Sequence, residues 1–200
     1  MPGTELVDLV DESDRTIGKA SLEDCLGRGL LHRAVAVLVL RSDGTVLLQR
    51  RSRRDRWHPG RWTISSTGHV KSGETYGRAA RRELFEELGI SSPVNPVGKF
   101  ILPKIRSRGL TEWENVVLFE ARTDEPARAD PAELEDVRPV SRSELARMLA
   151  GRKLTSDAKI LLREYLKHQQ RPTASRRVLQ ESPQPPSRLK NRVHSCSFAN

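Results

Sequence analysis

Cysteine is nearly absent from this chain of 200 residues: Cys25 stands early and Cys196 close to the end. Two thiols cannot build a disulfide framework, so reduced cysteines are expected. Long apolar runs are missing as well, none approaching the roughly eighteen residues that a bilayer-spanning helix needs. The opening MPGTELVDLVDESDR is acidic where a secretory or mitochondrial leader is basic. A cytoplasmic protein with no membrane partner is the expectation. No internal repeat is visible, which excludes solenoids and propellers.

Charge is abundant instead. Charged residues make up 30% and hydrophobic ones 36%, enough for one soluble domain with a core and some excess length. The formal net charge is +9, and where it lies matters more than its size. Residues 171–200 carry Arg171, Arg176, Arg177, Arg188, Lys190 and Arg192 against Glu181, a net of +5 that leaves +4 for the rest. Much of the remainder clusters in Arg50-Arg51-Ser52-Arg53-Arg54-Asp55-Arg56, read either as a basic lip beside a phosphate site or as a solvated charge run. Beyond residue 170 the sequence turns to Pro, Ser, Gln and Arg, with Pro183, Pro185 and Pro186 close together. A domain over residues 1–170 followed by a disordered basic tail is therefore expected. Phe198 is the tail's only aromatic, so the rings that single-stranded nucleic acid stacks on are missing there, and nucleic acid is not the expected partner.

Local patterns set out the elements. Leu6, Leu9, Val10 and Ile17 around Asp11-Glu12-Ser13-Asp14 predict two short strands in a hairpin. The run Ala34 to Leu40, the turn Ser42-Asp43-Gly44 and the run Thr45 to Gln49 predict a second hairpin, the clearest in the chain. Tyr76 to Leu88 predicts a helix with Ala80, Leu84 and Leu88 on one stripe and Gly89 at a left-handed C-cap. A strand over Asn115 to Ala121 follows, then helices over Ser143 to Leu149, capped by Ser141, and Asp157 to Leu166. Strands mixed with a few helices give an α/β or α+β sandwich.

The segment Gly68-His-Val-Lys-Ser-Gly73-Glu74-Thr-Tyr-Gly-Arg-Ala-Ala-Arg-Arg82-Glu83-Leu84-Phe-Glu86-Glu87-Leu-Gly89-Ile90 carries the chemistry. At helical spacing Glu83, Glu86 and Glu87 fall within about a 100° arc of one face. Like charges three and four residues apart repel, so a cation belongs among them. Clustered hard oxygens suit Mg²⁺ or Mn²⁺, which complete an octahedron with water and substrate phosphate oxygens. Gly68 and Gly73 permit a tight loop, Glu74 can order it, and Arg82 can brace the carboxylates. A solvated acidic helix with a structural arginine is the alternative.

This segment resembles the complete Nudix box, every signature position being filled. The resemblance implies the Nudix α/β/α sandwich with a mixed β-sheet over roughly residues 4–168. It also implies hydrolysis of a nucleoside diphosphate derivative or another organic pyrophosphate, a small-molecule partner, and is compatible with a homodimer. Glu83, Glu86 and Glu87 would then bind the metal. Either one of them or a later glutamate would deprotonate water, with Glu133 preferred over Glu135 among the later ones.

A second likeness is to the type 1 isopentenyl diphosphate isomerases. It rests on Leu31-His32-Arg33-Ala34, Gln49-Arg50-Arg51, Trp57-His-Pro59-Gly60-Arg-Trp62, Gly68-His69 and Glu112-Trp-Glu114. It implies a second metal site of His32, His69, Glu112 and Glu114, with Cys25 where those enzymes have a further histidine. Cys25 is then either a soft ligand favouring Zn²⁺ or a small buried hydrophobe. Thr67 stands where the isomerases carry their active-site cysteine, and a threonine hydroxyl cannot take over that proton transfer near neutral pH. With the box intact as well, the sequence points to hydrolysis, isomerisation and a nonenzymatic nucleic-acid-binding module being the alternatives. Arg51 and Arg82 are the expected phosphate contacts, and Trp57 and Trp62, flanking Pro59-Gly60, could stack on substrate or shield it, with packing in the core or at its rim as the alternative.

Overall fold

The computed structural model describes residues 5–55, 57–129 and 134–170, together with the backbone of residues 187 and 188. Glu133, Arg56 and most of the basic tail lie outside the described residues. The chain opens on the expected hairpin, β1 (Leu6–Val10) and β2 (Thr16–Ser21), turned through Asp14 at φ 64°. A short helix α1 (Leu22–Arg28) follows, capped by Ser21 and closed by Gly29. The sequence did not announce it, for seven residues with one fully buried side chain, Cys25, make no readable stripe.

Strand β3 (His32–Leu40) is the centre of the sheet. Its side chains alternate between two cores: Ala34, Ala36 and Leu38 pack on one face, Val35, Val37 and Val39 on the other. The first face is covered by α3 (Arg142–Ala150) and α4 (Ser156–Gln170) through Leu145, Met148, Leu161 and Leu162. The second is covered by α2 (Tyr76–Leu88) through Ala79, Ala80, Leu84 and Leu88. Helices on both faces of a mixed sheet make the α/β/α sandwich, and burial on both sides explains why β3 reads as an unbroken apolar run.

The second hairpin needs correction. Strand β4 (Val46–Arg51) does follow the Asp43-Gly44 turn, but it pairs with β3 only at Leu40↔Val46. Between the two strands lies the segment that bends at Ser65: β5 (Trp62–Ile64) pairs with β4, and β6 (Ser66–His69) pairs with β3. Ser65 Oγ accepts from Val39 N–H (2.8 Å) and donates to Leu47 C=O (2.6 Å), so it satisfies groups that a direct ladder would have paired. This wedge brings Thr67, Gly68 and His69 beside α2.

Four further strands follow α2: β7 (Asn95–Ile101), β8 (Ile105–Ser107), β9 (Leu110–Glu112) and β10 (Glu114–Arg122). Strand β10 runs parallel to β3, aligning Glu114 with His32, and antiparallel to β7. The edge strand β11 (Leu134–Val140) precedes α3 and pairs with β4. The residues before Ser141 are thus strand, an element the sequence did not signal. Ser187–Arg188 forms β12 against β7.

Candidate active site

Helix α2 starts at Thr75, whose hydroxyl accepts from Arg78 N–H, and stops at Gly89, held at φ 65° where a side chain would be strained. With Ala80, Leu84 and Leu88 packed on the sheet, Glu83, Glu86 and Glu87 all reach one cleft of about 550 Å³. Arg82 binds Glu74 with two parallel contacts, Nε to Oε1 at 3.1 Å and Nη2 to Oε2 at 2.9 Å. It also donates to Glu83 Oε1 (2.6 Å), Glu86 Oε2 (3.1 Å) and the His69 carbonyl (3.0 Å). Glu74 in turn accepts from Lys71 N–H, and the loop between is tied to the first hairpin by Ser72 and Gly73 donating to Asp8. Glu83 packs against the α-carbon of Gly68, in space that a β-carbon would occupy. Glu87 is buried, its Oε2 accepting from Thr67 N–H (3.1 Å) and Gln49 Nε2 (3.3 Å).

A second group converges on the other wall. Parallel pairing sets His32 level with Glu114, while β6 sets His69 beside Ala34. The ligand atoms of His32, His69 and Glu114 lie within 4.8 Å of one another. His32 is fully buried; its Nδ1 faces the Leu30 carbonyl at 2.9 Å, which requires a proton there and leaves Nε2 as the lone-pair nitrogen, 4.0 Å from Glu114. Burial and His69 depress the pKa of His32. Burial works against a charged His69 too, but its contact with Glu114 at 3.4 Å prevails and the pKa rises. Glu112 is pushed well above the carboxylate range by burial, then by Glu114 and Asp157. Cys25 does not join the cluster; it is buried in α1, where desolvation lifts its thiol to about 11.

Both groups belong to one cleft. Glu112, Glu114, His69, Gln49 and Asp157 line it together with the glutamates of α2. Arg51 and Arg54 stand at its wall, Arg51 being fixed by the Trp57 carbonyl (2.9 Å) and Asp55 (2.7 Å). The tryptophan that reaches the cleft is Trp57. Trp62, the other of the pair, packs in the helix-covered core with the guanidinium of Arg138 4.8 Å from its ring, because β5 turns it inward. Two polar lining residues were given no role from sequence: Gln49 ended an apolar strand, and Asp157 read as the start of an amphipathic helix.

The acidic wall suits a hard divalent cation. Arg82 takes one oxygen each from Glu83 and Glu86, so each keeps a second oxygen for an ion. Burial raises the pKa of Glu83 in spite of Arg82, so a cation in the cleft would favour its ionised form. The all-oxygen donor set matches magnesium in kind.

The NUDIX domain model matches residues 30–163. The chain belongs to the Nudix family, whose hydrolases in general cleave diphosphate linkages with divalent metal ions. It is 36% identical over 137 residues to an isopentenyl-diphosphate delta-isomerase 2 of Photorhabdus laumondii, covering 68% of this chain and 77% of that one. An uncharacterized Nudix hydrolase of Pseudomonas aeruginosa is 36% identical over 143 residues, covering 71% and 81%. A crystal structure from Deinococcus radiodurans superposes with a TM-score of 0.65 at 27% identity, covering 80% of this chain and 98% of that one. Among the described residues no helix is long and apolar enough to cross a membrane.

Proposed function

We propose that this protein is a magnesium-dependent pyrophosphohydrolase that cleaves the diphosphate linkage of a nucleoside diphosphate derivative or another organic pyrophosphate. Mn²⁺ is the expected substitute metal. The observation that carries the reading is the meeting of Glu83, Glu86 and Glu87 in one cleft with Arg51 and Arg54. Those three glutamates would hold the ion, which when bound neutralises charge on the diphosphate. Arg51, preset by Trp57 and Asp55, orients a phosphate, while Trp57 and the apolar wall exclude water around the organic moiety. Arg82 keeps the glutamates and the Gly68 loop in register rather than reaching for substrate. Attack of water forms one P–O bond and breaks the bridging one, and the proton released goes to a carboxylate. Glu133 and the box glutamates are the candidates, separated by comparing kcat of Glu133→Gln with that of Glu83→Gln and Glu87→Gln.

His32, His69 and Glu114, with Glu112 beside them, support a second divalent site in the same cleft. The isomerase reading is disfavoured by Thr67, whose hydroxyl lacks the acidity of a thiol. A panel of nucleoside diphosphate derivatives and isopentenyl diphosphate, incubated with Mg²⁺, tests the assignment. Hydrolysis that EDTA abolishes and Mg²⁺ restores supports it. An allylic product with no hydrolysis, or no turnover of any member, overturns it.

A further inference from the structure

Gln49 is an unusual residue for its place. It lies in β4 with strands on both sides, opposite Thr63 of β5 and Val137 of β11, and only 1% of its surface is exposed. Leu47, two residues earlier on the same face, packs into the core beneath α2. An apolar side chain would suit such a site, and a buried amide is costly unless its atoms find partners. One does: Nε2 faces Glu87 Oε2 at 3.3 Å, an orientation the carboxylate dictates because two oxygens there would repel. The other, Oε1, is buried without a protein partner among the described residues, although Gln49 lines the cleft. An acceptor in that position calls for a donor that arrives from the cleft.

We propose that Gln49 positions the water that attacks phosphorus, Nε2–H holding Glu87 and Oε1 accepting a hydrogen bond from that water. The inference rests on the hydrolase reading and deepens it. Glu87 Oε2 is occupied by two fixed donors, Thr67 N–H and Gln49 Nε2, so its carboxylate cannot rotate freely. The carbonyl oxygen of Gln49, bonded to the same carbon as Nε2, stands beside it. A water with one hydrogen directed at Oε1 and the other at the proton-accepting carboxylate presents a lone pair to phosphorus. As the new P–O bond forms and the bridging bond breaks, one proton passes to the carboxylate and the electron pair leaves with the departing phosphate. Gln49 is unchanged, its part being orientation.

The test is Gln49→Met, close in volume and free of polar groups, with Gln49→Leu as an independent replacement suited to the apolar face. Both are compared with wild type on several diphosphates that the wild type hydrolyses, alongside thermal melts and Mn²⁺ binding followed by electron paramagnetic resonance. The expected result, at saturating metal, is a kcat lower by about 10²-fold with KM within about threefold and the same factor for every substrate, while Mn²⁺ affinity falls by a smaller factor through the lost contact to Glu87. A kcat equal to wild type in a folded variant overturns the inference. So does a loss that falls on KM and varies with the organic moiety, since the donor to Oε1 would then belong to the substrate. A wild-type protein that hydrolyses no diphosphate overturns the hydrolase reading and this inference together, whereas an active wild type with an equally active Gln49→Met overturns this one alone.

Discussion

The carboxylate of Glu83 rests against the α-carbon of Gly68, in the volume a methyl group at that position would fill. The helix and the strand before it are therefore packed through a carboxylate rather than an apolar side chain. Two separate consequences follow, one for activity and one for stability.

Gly68→Ala should disable the protein while leaving it folded. Gly68 lies in β6 and its backbone is not in the left-handed region, so alanine is permitted there. The collision is with the end of a flexible side chain, which can swing away at the cost of its contact with Arg82, about 2 kcal/mol. Swinging Glu83 would remove it from the proposed cation site. Hydrolysis is expected to fall by about 10²-fold or more, with weaker Mn²⁺ binding and a melting temperature lower by no more than roughly 8 °C. A variant with full activity would show that Glu83 is not needed where it lies.

Arg82→Lys should cost both stability and metal affinity. The guanidinium makes a two-point contact with Glu74 and separate bonds to Glu83, Glu86 and the His69 carbonyl. A lysine ammonium has three donors and no planar fork, so it cannot serve all four. Losing a charged contact in this partly buried setting costs about 2 kcal/mol, or roughly 4–8 °C in a domain of this size. Calorimetry with and without Mg²⁺ checks it; an unchanged melting temperature would mean the contacts are redundant.

Sequence carried some parts of this site openly and hid others, for a physical reason. The acidic face of α2, its apolar stripe and Gly89 are local, so the helix was legible to the residue at both ends. The join between β4 and α2 through Gln49 and Glu87 spans 38 positions, and no periodicity reports a contact of that length. The wedge at Ser65 was hidden in the same way, since Thr45 to Gln49 looks like a hairpin partner for Ala34 to Leu40 until another strand separates them. Strand β11 was missed because an edge strand can carry Pro139 and exposed charges, which blur its alternation. Trp57 and Trp62 could not be told apart from sequence, because one short strand decides which of them turns inward.

The first hairpin should be anchored to β3, β7 and α2 in a pH-dependent way. Asp14 accepts from Arg33 Nε (2.7 Å), Lys99 Nζ (2.6 Å) and Tyr76 Oη (3.0 Å). Burial alone would raise its pKa, but the hydrogen bonds and charges of Lys99 and Arg33 outweigh it, and the net shift is downward. A carboxylate with a depressed folded pKa stabilises above its unfolded value and loses that contribution as pH falls through the folded one. Wild type should therefore exceed Asp14→Asn by about 1–3 kcal/mol near pH 7, and the gap should close only below about pH 4. Paired urea titrations from pH 7 to pH 3 measure this; a gap that stays constant to pH 3 would contradict the ion-pair account.

Ser65→Ala probes whether the wedge positions the site. The hydroxyl serves Val39 N–H and the Leu47 carbonyl in a fully buried position, and alanine leaves both without a partner. That costs about 2–4 kcal/mol, a fall of roughly 10 °C. Two residues further along, Thr67 N–H fixes the carboxylate of Glu87, so relaxation at the bend is transmitted to the acidic wall. Mg²⁺ affinity should then drop in the variant even at temperatures where it remains folded. If stability falls while metal affinity stays at the wild-type value, the bend serves the sheet alone, and the register of Thr67 is set by its pairing with Ala36.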